Sequence, residues 1–180
     1  MYRTLPNLRT IVKPRHPGIS EAVCASYTEA AEVCFARHHS PSLIQIKIEC
    51  CGNISAKSLE WKLPDDFAIK AWKNRDDATR DGAYIVSLAT VESELGVVAL
   101  SRAETRTGAD YYVGEPGLRD LEEAYRLEVS GTDAGKEGEL RTRLRKKEKQ
   151  ALAGNSPLPA YASVVGFPEA MVLVSLVEGT

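Results

Sequence analysis

Polar and apolar positions change period several times along this chain, and each change marks an element. After an irregular first eighteen residues, Val23, Tyr27, Ala30, Ala31 and Cys34 recur at helical spacing. Ser20 is placed to cap that helix and Glu21 falls in its first turn, while His38, His39 and Pro41 mark its end. From Leu43 the period becomes two. Ile44, Ile46 and Ile48 alternate with Gln45, Lys47 and Glu49, and beyond a CGN turn Leu59, Trp61 and Leu63 alternate with Glu60 and Lys62. The pattern predicts an amphipathic hairpin with one wet face, closed by Pro64 and followed by a short helix from Asp65 to Trp72.

A second long helix is predicted from an acidic cap at Asp76 or Asp77 to a stop at Gly96. Three strand-like segments then begin at Val97, Ala109 and Ala124, with Arg106 to Gly108 turning the first into the second. A basic helix covers residues 138–154, its apolar stripe reduced to Leu140, Leu144 and Ala151. Strands from Ala160 and Ala170 finish the chain, with Pro168 in the turn between them. From Asp76 onward the order is helix, three strands, helix, two strands, which predicts an α/β fold with a mixed sheet.

At 180 residues with 43% hydrophobic content the chain suits one globular unit. A net charge of −2 gives no global basic field, so a nucleic-acid partner has to be drawn by a local patch. Four cysteines without a CxxC pair predict a reducing, cytoplasmic setting. The first eighteen residues, interrupted by three prolines, read as neither signal peptide nor anchor, and no run approaches the ~20 apolar residues of a membrane span.

The candidate chemistry lies in GADYYVG and AYRLEVSGT, where Asp110 and Glu128 occupy two neighbouring apolar strands. Carboxylates in such a setting have an economical shared purpose in a divalent metal. Alternation puts Arg126, Glu128 and Ser130 on one face of the third strand. Between Leu140 and Gln150 there are six Arg or Lys and one Glu, enough to follow a phosphate backbone without reading sequence. A separate candidate group for zinc is Cys34 and His38, one helical turn apart, with Cys50 or Cys51. A serine nucleophile is excluded, since Ser130 lacks the Gly-x-Ser-x-Gly frame and no histidine follows position 39.

The order of elements after Asp76, with Asp110 in the second strand and Glu128 inside the third, resembles the core of the PD-(D/E)XK nuclease superfamily, the restriction-endonuclease-like fold. The resemblance covers about 100 residues and leaves 1–75 as an amino-terminal arm, helix and hairpin packed on a core of 76–180. It implies a nuclease hydrolysing phosphodiester bonds of DNA, in genome maintenance or foreign-DNA defence, with Mg²⁺ or Mn²⁺ as cofactor. Asp110 and Glu128 match the family's strand acids, the backbone carbonyl of Val129 is a further ligand, and Glu92, preferred to Glu94, matches a helix glutamate. Ser130 stands where the family has lysine, so the positive charge has to come from Arg126 or from the basic helix. Arg126, Arg143, Lys147 and Gln150 are the candidate substrate-binding residues. The alternative is an inactive nuclease-fold module acting in protein or nucleic-acid binding, or a homodimer, with the hairpin and an exposed Trp61 as partner surface.

Overall fold

A computed structural model describes residues 4–104, 107–154 and 156–177. In chain order the elements are α1 (Glu21–Ala36), β1 (Leu43–Cys50), β2 (Asn53–Glu60), α2 (Asp66–Ala71), α3 (Arg75–Leu95), β3 (Val98–Arg102), β4 (Tyr111–Gly114), β5 (Tyr125–Thr132), α4 (Glu137–Leu152), β6 (Ala160–Gly166) and β7 (Met171–Val177). Part of the predicted 106–108 turn lies outside the described residues.

Local chemistry sets the ends of these elements. Ser20 accepts a hydrogen bond from the Val23 N–H, as its position before α1 predicts. At α3 the cap is Asn74 rather than an aspartate. Its side-chain oxygen takes the N–H groups of Asp76 and Asp77, and both acids sit in the first turn, where the helix dipole favours negative charge. Gly96 ends α3 with φ of 73°. Cys51 and Gly52, at φ of 49° and 84°, make the two-residue hairpin turn between β1 and β2.

The strands form one seven-stranded sheet in the order β2-β1-β7-β6-β5-β4-β3. β3, β4 and β5 are an antiparallel meander, β5 pairs parallel with β6 across the α4 connection, and β6 pairs antiparallel with β7. β1 joins β7 in parallel, so the amino-terminal hairpin extends the sheet instead of standing apart from it.

Helices α1 and α3 cover one face and α4 the other, which is why β6 is buried along its whole length and reads as a nearly continuous apolar run. On the α3 side Tyr161 and Val165 join the main core, and Ser163 bonds Ser87 of α3 at 2.8 Å. On the other side Val164 packs with Leu140, and Ala160 and Ala162 with Ala151, so the narrow stripe of α4 is its buried face.

The amino-terminal arm is a strap. Leu5 N–H bonds Ser58 on β2, Gly18 N–H bonds Ala99 on β3, Leu8 and Ile11 are buried between these points, and Ile19 is buried just after them. Trp61 departs from expectation. It is 5% exposed and stacked on Phe35 at 5.4 Å, because its backbone N–H extends the ladder to Ser42 and alternation keeps its ring on the buried face of Leu59. The large exposed apolar residues between β2 and α3 are Leu63, Phe67 and Ile69.

The zinc group does not assemble. Cys34 is buried, with its thiol pushed up to about 12 by burial, while His38 bonds Asp133 at 2.6 Å. No described helix is long and apolar enough to cross a membrane.

Candidate functional site

A notch in the sheet creates the site. β5 is eight residues long, but β4 pairs only with Tyr125 to Leu127, so among the described strands none covers the same edge of β5 beyond that point. Asp110, just before β4, partly closes the gap. Its N–H donates to Leu127 O at 2.8 Å, and its Oδ2 accepts the Val129 N–H at 2.8 Å. The carboxylate thereby continues the ladder by one step. A strand residue directs its N–H and C=O to the same edge, so the Val129 carbonyl opens on the notch as well.

The walls are α3 and α4. Gly131 permits the close approach of α3, since a Cβ there would lie 2.5 Å from Thr79 O. The cleft left between the helices and the strand edge has a volume of about 720 Å³, and Tyr84, Asp110, Glu128, Ser130, Arg143 and Lys147 line it.

Glu128 is 5% exposed on the α4 face of β5, beside Asp110. Its Oε1 accepts from Lys147 Nζ at 2.7 Å, and the same ammonium donates to Gln150 Oε1 at 3.0 Å. Burial raises the Glu128 carboxyl above its ordinary range, the Lys147 hydrogen bond pulls it back, and the neighbouring Asp110 charge raises it again. Asp110 Oδ1 accepts from the Tyr84 hydroxyl at 2.9 Å and lies 3.6 Å from the Arg102 guanidinium. Burial, then the adjacent Asp110 charge, pushes the Tyr84 phenol up to about 12, so it stays a hydrogen-bond donor at neutral pH. Arg102 in turn lies over the rings of Tyr84 and Tyr111, at 4.4 and 4.7 Å.

The sequence-derived residues separate into two groups. Asp110, Glu128, Ser130, Arg143, Lys147 and Gln150 meet at the cleft. Glu92 does not. It bonds Arg15 at 3.1 Å and His16 at 3.0 Å, two turns beyond Tyr84 and roughly 12 Å further along the helix axis. Helical periodicity reports the face of a residue but not its level, and the site lies beside the amino-terminal half of α3. Glu94 is likewise engaged, with Lys57 at 2.7 Å.

Arg126 does not line the cleft. It is 2% exposed and donates to Thr107 O, Ala151 O and Leu158 O, tying the last turn of α4 to β5. Ser130 receives a long contact of 3.4 Å from Arg143.

Two contributors escaped sequence reasoning in whole or in part. The sequence pattern does not single out Tyr84, and it offers Lys147 as a substrate-binding residue rather than as the partner of Glu128. A signal for Lys147 exists. Positions 140, 144, 147 and 151 form one helical stripe, and a lysine inside the only apolar stripe of a helix needs a buried partner.

Among the described residues no group of three or more His, Cys, Asp or Glu is placed to hold a metal. The available donors are two carboxylates and one backbone carbonyl, all hard oxygens, which fits a divalent cation of the Mg²⁺ type that keeps several waters. Compared with known families, curated proteins and solved structures, the chain matches no family model, no curated protein and no solved structure.

Proposed function

We propose that this chain is a metal-dependent nuclease hydrolysing phosphodiester bonds of DNA, in genome maintenance or defence against foreign DNA. The observation that carries the reading is the meeting of Asp110, Glu128 and Lys147 at one open strand edge, with Lys147 Nζ 2.7 Å from Glu128. The order of elements after α3 and the basic α4 agree with it. Burial and the neighbouring Asp110 charge raise the Glu128 carboxyl, a cost that Lys147 partly offsets and that a bound cation would relieve further.

Bound Mg²⁺ or Mn²⁺ supplies the Lewis acidity that makes water nucleophilic at neutral pH. The residues do the rest. Asp110 and Glu128 hold the cation, with the Val129 carbonyl at their side. Lys147 offsets negative charge growing on the phosphate, the role that Ser130 cannot fill. Gln150 orients the Lys147 ammonium, and Arg143 at the cleft mouth steadies the neighbouring phosphate. The test is cleavage of single-stranded and plasmid DNA by the purified chain with Mn²⁺. Asp110→Asn and Glu128→Gln are expected to lower the rate at least ~100-fold while remaining folded, and wild-type rates in both variants would overturn the assignment.

One observation favours a second reading. Lys147 already neutralises Glu128 without a cation, as it would in an inactive nuclease-fold module that binds nucleic acid through α4. Metal-independent DNA binding with no cleavage would support that reading.

A further inference from the structure

The carboxylates lie at a waist between two hollows. Beyond the cleft described above, a second hollow of about 590 Å³ is bordered by Arg102, Glu104, Gly108, Ala153 and Gly154. Asp110, Glu128 and Gln150 line both hollows. A site that trims chain ends needs room for substrate on one side of the reacting phosphate and a wall on the other. Here the described residues leave space on both sides.

Each side also carries a cation suited to a phosphate. Arg143 stands in the first hollow and Arg102 in the second, the latter fixed over two tyrosine rings and still about half exposed. The acids themselves are deep, with side-chain exposures of 18% for Asp110 and 6% for Glu128. A duplex is stiff over ~150 base pairs and keeps its phosphates on its outside, whereas a flexible single strand can lower its backbone between two helices.

On the nuclease reading above, we infer that the substrate is a single DNA strand lying through both hollows, cut at an internal phosphodiester. In the step, water oxygen bonds to phosphorus and the bridging oxygen leaves with the electron pair of the broken P–O bond. The attacking water gives up a proton and the leaving oxygen takes one up, so one strand becomes two, one ending in a phosphomonoester and the other in a hydroxyl.

The experiment compares a single-stranded circle, the same strand in linear form, and a covalently closed duplex circle, each with wild-type protein and Mn²⁺. The single-stranded circle is expected to open within about threefold of the rate of internal cutting in the linear strand, and the duplex at least ~10-fold more slowly. An intact circle beside a linear strand shortened from its ends would overturn the inference and leave the nuclease reading standing. A duplex circle opened as fast as the single-stranded one would overturn the strand preference. No cleavage of any substrate, together with no Mn²⁺ bound, would remove the reading of Asp110 and Glu128 and the inference with it.

Ala153→Trp addresses the second hollow alone, from an exposed position. It is expected to slow circle opening at least ~10-fold with Mn²⁺ affinity unchanged, and an unchanged rate would overturn the path through that hollow.

Discussion

Lys147 Nζ and Glu128 Oε1 lie 2.7 Å apart, one from α4 and the other from β5. The pair brings a positive charge to the carboxylates from the helix, while the neighbouring strand position on the same face offers only the Ser130 hydroxyl. It also explains why a lysine interrupts the only apolar stripe of α4.

Lys147→Met keeps the length of the side chain and removes its charge. The DNA cleavage rate is expected to fall by ~100-fold or more, since a charge aimed at the reacting phosphate is lost. Affinity for Mn²⁺ is expected to hold or rise, because the cation no longer competes with an ammonium for Glu128. Calorimetric titration beside a cleavage assay separates the two effects, and a joint loss of both would mean that Lys147 only supports the fold.

Tyr84 positions Asp110 through its hydroxyl, 2.9 Å from Oδ1. Tyr84→Phe removes two hydrogen bonds to charged groups, the one donated to Asp110 and the one accepted from Arg102 at 3.1 Å, and keeps the ring under Arg102, so a cost of at least about 1.5–3 kcal/mol is expected. Weaker Mn²⁺ binding with little change in thermal midpoint would place that cost in the orientation of the carboxylate. A fallen midpoint with unchanged Mn²⁺ affinity would place it in the packing of α3 against β4.

Glu128 makes the site pH-sensitive in a defined direction. Its carboxyl is raised in the folded chain, so the folded state binds that proton more tightly than the unfolded state does. The cost of ionising it is fully present above the raised value and is lost as pH falls through that value towards the ordinary 4.5. Glu128→Gln is therefore expected to raise the thermal midpoint at neutral pH, with the gain shrinking on acidification and gone below about pH 4.5. Over the same window wild-type Mn²⁺ affinity is expected to fall as protons compete for the ligand. A midpoint difference independent of pH would contradict the shift.

Much of this architecture is legible in the sequence because local chemistry sets it. Ser20, Gly96 and the Cys51-Gly52 turn act within a few residues of themselves, and alternation in β1 follows directly from which side chains face α1 and α3. The departures are long-range. Trp61 lies on the inward face that alternation with Leu59 gives it, and only its ring partner, Phe35 on α1, comes from outside the hairpin. Glu92 shares a stripe with Ile85 and Ala89, but the level of the site along α3 is fixed by where β4 stops, which no periodicity in α3 can report. Arg126 alternates with Glu128 as expected and is then taken up by the carbonyls at the end of α4, whose arrival depends on the whole β5-α4-β6 crossover.

The meeting of Asp110 and Glu128 at one cation is the claim on which the rest depends, and calorimetric titration of the metal-free chain with Mn²⁺ at neutral pH tests it before any substrate is involved. One bound ion per chain is expected, with binding weakened at least ~10-fold in both Asp110→Asn and Glu128→Gln and unchanged in Glu92→Gln. Absence of binding to the wild type, or equal binding in all three variants, would contradict it.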